Sequence, residues 1–196
     1  MTALDERPVP VVHPDEPLRR PRRRRPIDRA RASVTRAVSR HRRSLAWLAP
    51  LLLVAGLVQG IGMAGSPQRI DDEGTYTAQA WAVAKLGELA HYTYWYDHPP
   101  LGWLQLAGYA QATLAFERYD IAVVAMREAM LAAALVSVVL LWMLARRVGL
   151  SRPAAAAAGF LFAVSPLAVQ FHRTVYLDNV ATVWLLAAFA LALTKR

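Results

Sequence analysis

Apolar residues in this chain fall into long runs separated by short polar segments. The first run, Leu45–Ala64, has 20 residues and no charge. At ~1.5 Å per residue it covers about 30 Å, the thickness of a bilayer's hydrocarbon core. A second run spans about 121–145, with Arg127 and Glu128 near its start and no charge from Ala129 onward. A third, Pro153–Phe171, opens with five alanines, and small residues of this kind let helices approach closely in a membrane. A fourth covers about 180–194. The pattern predicts an all-α, polytopic helical membrane protein with about four transmembrane helices, at 45–64, 121–145, 153–171 and 180–194. The loop 65–120 carries two further helical stretches, Thr75–Leu89 and Pro100–Phe116. The second of these is amphipathic, with Gln105 and Gln111 too polar for a span, and suits the membrane interface.

Charge divides the chain in two. Residues 1–44 hold 13 arginines and five acids, whereas residues 45–196 hold ten basic and nine acidic residues. The high pI therefore belongs to a tail. That tail is rich in proline and poor in core-forming side chains, so it is expected to be disordered, with a basic helix possible only over 27–43. Its arginines suit anionic membrane lipids. No nucleic-acid partner is expected, because no aromatic interleaving or reading motif accompanies them. Arg42-Arg43 ahead of an apolar run has the look of a targeting signal. The long leader, the length of the run and the spans that follow favour an uncleaved anchor.

The basic residues also set an orientation. The tail, the turn 146–152 and Lys195-Arg196 are expected on the cytoplasmic side of the cell (plasma) membrane. Four crossings then put 65–120 and 172–179 together on the outer face. Cysteine is absent, which excludes disulfides, thiolate metal sites and cysteine nucleophiles. No phosphate-cradling glycine loop and no Ser-His-Asp arrangement is evident.

Three clusters on the outer side could carry chemistry, and each has a plainer alternative. Asp71-Asp72-Glu73 could cap a helix, or supply a general base or metal ligand. Tyr92 to Pro100, dense in Tyr and Trp, could be an interfacial aromatic belt, or a surface that stacks on sugar rings. His172-Arg173 with Asp178 could be membrane-flanking charge, or an anion clamp with a second carboxylate. Jointly they meet one requirement. Sugar transfer from a lipid phosphate needs a carboxylate for the acceptor's proton and positive charge for the departing phosphate, both at the membrane boundary.

Three stretches in order carry a family resemblance: Asp72-Glu73-x-x-Tyr76; Tyr96-Asp97-His98-Pro99-Pro100-Leu101-Gly102; and Arg173-x-x-Tyr176-Leu177-Asp178-Asn179. With this topology the chain resembles the GT-C membrane glycosyltransferases, in the protein O-mannosyltransferase and aminoarabinose transferase superfamily (glycosyltransferase family 39-like). The resemblance implies a polyprenyl-phosphate-linked sugar donor and an active site on the outer face. It implies Asp72 as the catalytic general base, supported by Glu73. Tyr76, Tyr96, Asp97, His98, Arg173 and Asp178 become substrate-binding residues. His98 stands where aminoarabinose transferases have a phosphate-binding lysine. Metal use varies across the superfamily, so no metal ligand is predicted, and a divalent ion is left as the one candidate cofactor. Family members carry more spans, so the chain is expected to be an N-terminal part, inactive or very weak without a C-terminal portion or second chain. The contrasting expectation is a non-catalytic membrane scaffold whose basic tail binds anionic lipid.

Overall fold

The computed structural model describes the backbone of residues 26–90 and 98–194. The disordered tail expected over 1–44 lies, for residues 1–25, outside the described residues. The chain divides into two compact units, Met1–Arg40 and His41–Arg196. The described part of the first unit is helical from Pro26, and everything below concerns the second unit.

The elements are α1 (Pro26–Gly60), α2 (Asp71–Leu86), α3 (Leu101–Thr113), α4 (Ala115–Arg118), α5 (Ala122–Arg147), α6 (Arg152–Val164), α7 (Pro166–Arg173) and α8 (Leu177–Ala192). No strand occurs among the described residues. The all-helical class is as expected, and both helices anticipated in the loop 65–120 form. Local chemistry sets several ends. Gly87 adopts φ 77°, and its N–H closes onto the carbonyls of Ala82 and Val83, so α2 stops where a left-handed residue is needed. Ser151 accepts the Ala154 amide at 3.3 Å, and Pro153 sits in the first turn, so α6 starts with a side-chain cap.

Two helices are long and apolar enough to cross a membrane: Arg42–Gly60 within α1, and α5. A third crossing is counted if α6 and α7 are taken together, but these meet at 62°. The run expected as one span over 153–171 is thus two helices with a bend between them. Pro166 supplies the reason. It has no N–H to continue the ladder, and it pushes Ser165 to φ −54°, ψ 130°, outside the helical region. Just before the bend, the Ala163 carbonyl accepts from the side chain of Gln59 on α1 at 2.8 Å. The fourth apolar run forms α8, 16 residues long and about 24 Å by its rise, short of a full hydrocarbon core.

α5 is the central helix. Its first half packs with α2, α3 and the start of α8 around Tyr76, Trp103, Leu106, Met126, Met130 and Val175. Its second half packs with α1 and α6 around Leu51, Ala55, Val138, Trp142, Ala155 and Ala163. Small residues dominate the second cluster. At Gly159 a Cβ would stand 2.7 Å from Leu51 Cδ2, so α6 and α1 approach closely because nothing projects there.

Candidate functional site

The acidic start of α2 is built from one exposed and one buried carboxylate. Asp72 is exposed. Glu73, beside it, is fully buried. Its two oxygens accept from Arg127 of α5, Nε to Oε1 at 2.8 Å and Nη2 to Oε2 at 2.7 Å. Oε1 also accepts the backbone N–H of Val175 at 2.9 Å. This bidentate, charge-assisted arrangement satisfies both oxygens and holds the first turn of α2 against α5. Arg127 completes its bonding by donating from Nη1 to the Met63 carbonyl at 2.7 Å.

The Val175 bond carries the geometry further. Val175 lies just ahead of α8, whose first turn holds the exposed Asp178. So the stretches around 72 and 178, about a hundred positions apart, are tied side by side. Asn179 secures the approach to α8 from the other side. Its buried amide donates to the carbonyls of Phe171 and Thr174 at 2.9 and 3.0 Å.

Asp178 and His98 line one cleft of about 430 Å³, between the start of α3 and the start of α8. Pro99, Gln105, Leu177 and Trp184 also face it. Trp184 Nε1 donates to Gln105 Oε1 at 2.6 Å, which holds the indole in the cleft wall beside Gln105. Gly102 permits the narrow approach of α3 to α8, because a Cβ there would meet Leu177 Cδ2 at 2.9 Å. Behind His98 stands the buried Tyr76. Its hydroxyl is 3.5 Å from His98 Nε2, and the two rings meet edge to face at 5.3 Å. The segment leading away from α2 is pinned by Gln79, which donates to the Ala90 carbonyl at 3.2 Å and accepts the Ala90 amide at 2.9 Å.

The anticipated site residues thus separate. His98, Asp178 and Tyr76 come together around the cleft. Asp72 does not line the cleft; it reaches the same neighbourhood through the Glu73–Val175 bond. Arg173 turns away from it. Its Nη1 donates to the Ser66 carbonyl at 3.4 Å, and its Nη2 donates to the carbonyls of Ile61 (2.8 Å) and Val58. Those carbonyls belong to the C-terminal end of α1 and the turn after it, the negative end of the helix dipole. Tyr96 and Asp97 lie outside the described residues. No group of three or more His, Asp and Glu placed to hold a metal ion occurs among the described residues.

Three participants escape a reading of local motifs. Arg127 is legible as a charge inside an apolar run, which demands a partner. Its partner, 54 positions away, is not legible from spacing. Gln105 and Trp184 look like an interfacial polar residue and a lipid-facing aromatic until the fold sets them in contact. A neighbouring network fastens α3 and α4 to α5. Glu128 Oε1 accepts from the Tyr109 hydroxyl and from Arg118 Nη2, each at 2.7 Å. Burial, reinforced by the hydrogen bond to Glu128, pushes the Tyr109 phenol well above its ordinary range.

Compared with known protein families, with curated proteins and with solved structures, the chain matches none of them.

Proposed function

We propose that this chain belongs to a GT-C-type membrane glycosyltransferase, which moves a sugar from a polyprenyl-phosphate donor to an acceptor on the outer face. The observation that carries the reading is the cleft between α3 and α8, where His98, Asp178 and an indole face converge beside the turn bearing Asp72. A sugar ring stacks on the Trp184 face, as aromatic faces allow. Asp178 and Gln105 accept and donate hydrogen bonds to its hydroxyls. His98 meets the donor phosphate. The Asp72 carboxylate takes the proton of the acceptor hydroxyl as its oxygen attacks the anomeric carbon. The bond from that carbon to the phosphate oxygen breaks, and polyprenyl phosphate departs with the electron pair.

In this reading Glu73 is a positioning residue. Its ion pair with Arg127 and its bond to Val175 set the turn that bears Asp72 against the turn that bears Asp178. The membrane arrangement proposed with it has four crossings, made by α1, α5, the bent α6–α7 pair and α8, with the N-terminus cytoplasmic.

A second reading has one observation in its favour. Glu73, expected to support the catalytic base, and Arg173, expected to bind substrate, are bonded to the protein's own framework. A non-catalytic membrane scaffold would use them in this way. One experiment separates the two. Asp72→Asn in the intact protein, expressed in its own cells, should abolish transfer of a radiolabelled sugar from a polyprenyl-phosphate donor to membrane acceptors, while membrane insertion is kept. Wild-type transfer by that variant sinks the enzyme reading in this form.

A further inference from the structure

At the end of the bundle remote from the candidate cleft, four arginines gather on three elements. Arg43 and Arg146 line a polar cleft of about 430 Å³ with Arg152 and the α6 cap Ser151. Arg146 also lines a neighbouring cleft with Arg147, Ser44 and Trp142. Arg152 Nε donates to Ser44 Oγ at 3.4 Å, which joins the start of α6 to α1. No Asp or Glu occurs between residues 29 and 70, or between 129 and 177, so the segments that build this end contain no carboxylate. Every ion pair among the described residues lies elsewhere, at Lys85–Glu117, Arg118–Glu128 and Arg127–Glu73. One nitrogen of Arg147, Nη1, is buried with no hydrogen-bond partner. Concentrated positive charge of this kind calls for an external anion.

Directly beneath lies an apolar groove of about 570 Å³ between α1 and α6, walled by Trp47, Pro50, Val54, Pro153, Ala157 and Phe160. Ala46, Trp47 and Pro153 border both the groove and the polar cleft, so the two are continuous. Guanidinium groups above and a continuous apolar channel below match one ligand class, an anionic headgroup on an acyl chain. Arginine forks suit phosphate oxygens, and small residues on α6 leave room for a chain.

We propose that α1 and α6 form a specific site for one anionic glycerophospholipid. Its phosphate lies among Arg43, Arg146 and Arg152, and one acyl chain lies in the groove against Trp47 and Phe160. The site differs from general attraction of a basic tail to a charged membrane, because it requires headgroup charge and the groove together. It is also independent of the sugar-transfer reading, since it shares no residue with the α3–α8 cleft.

Native mass spectrometry of the purified chain in detergent tests this, with dioleoylphosphatidylglycerol and dioleoylphosphatidylcholine titrated separately. One phosphatidylglycerol should be retained at roughly tenfold lower concentration than phosphatidylcholine. Equal retention of the two lipids overturns the proposal without recourse to any variant. The triple substitution Arg43→Gln, Arg146→Gln and Arg152→Gln should erase the preference, and a preference that survives it also overturns the proposal. Ala157→Trp fills the groove from an exposed position and leaves the arginines intact, so it should weaken phosphatidylglycerol retention on a chain that still folds. Unchanged retention there removes the acyl chain from the account. Glycerol 3-phosphate and inorganic phosphate serve as competitors. If either displaces the lipid at the lipid's own concentration, the site binds a free phosphate and the lipid proposal fails.

Discussion

Glu73 and Arg127 face each other from α2 and α5 in a two-pronged ion pair, with both side chains fully buried. Burying two charges is costly, and the pair persists because each of its nitrogens and oxygens has a partner, with Val175 added on one side and Met63 on the other. Breaking it by Glu73→Gln leaves the guanidinium uncompensated, at a cost of about 3–5 kcal/mol. Replacing both residues by methionine should recover much of that loss. Thermal unfolding in detergent, followed by intrinsic fluorescence, reads the difference. A Glu73→Gln protein as stable as wild type would show that the pair does not hold α2 to α5.

Within the transfer reading, Asp72 and the α3–α8 cleft make a kinetic prediction. Asp72→Asn removes the proton acceptor and should slow transfer by roughly 100- to 10,000-fold with little change in KM. Asp178→Asn and Trp184→Phe act on the donor instead, so they should raise KM by more than they lower kcat. The opposite split, with Asp178 governing kcat and Asp72 governing KM, would exchange the roles proposed for the two carboxylates.

Gly159 allows a third test. Alanine there meets only the tip of the Leu51 side chain, which can rotate aside. Valine adds branches that Leu51 cannot clear, and should force α6 away from α1 at about 1–3 kcal/mol. Adding Leu51→Ala to the valine variant should return part of the lost stability, even though Leu51→Ala alone opens a cavity. An additive double mutant would mean that the two helices do not cross at this point.

Much of this architecture is legible in the residue pattern because membrane helices declare themselves by length and absence of charge. α5 is the clearest case, with no charge from Ala129 to Ala145. The helices between α1 and α5 are legible as well, through their apolar periodicity and through Pro100 ahead of Leu101. What escapes is of two kinds. Pro166 sits inside a run whose hydropathy reads as one span, so average apolarity conceals a local loss of a backbone donor. Arg173 has the residue type of a phosphate clamp, yet type alone cannot say that the carbonyls of α1 reach it first. Long-range partners such as Glu73 with Arg127, or Gln105 with Trp184, are set by tertiary packing, and no local spacing encodes them.

The bend at Pro166 supplies the last test, because two physical effects there oppose each other. In an ordinary helix interior, replacing proline with alanine stabilises by about 3 kcal/mol, through the regained backbone bond and the removal of ring strain. Here the Ala163 carbonyl already accepts from Gln59, which is itself almost fully buried. A straightened α6–α7 would give that carbonyl to the Leu167 amide and leave the Gln59 amide buried without a partner, at about 1–3 kcal/mol. It would also draw Arg173 from the carbonyls of Val58, Ile61 and Ser66, which would then lose their donor. Pro166→Ala should therefore fail to stabilise the protein, and should lower its unfolding temperature. Adding Gln59→Leu to that variant removes the stranded amide, so the pair should be more stable than Pro166→Ala alone. In the wild-type background Gln59→Leu should be destabilising, since it strips the Ala163 carbonyl of its donor. A stability gain from Pro166→Ala by itself, with no coupling to Gln59, would show that the bend is not held by this hydrogen bond.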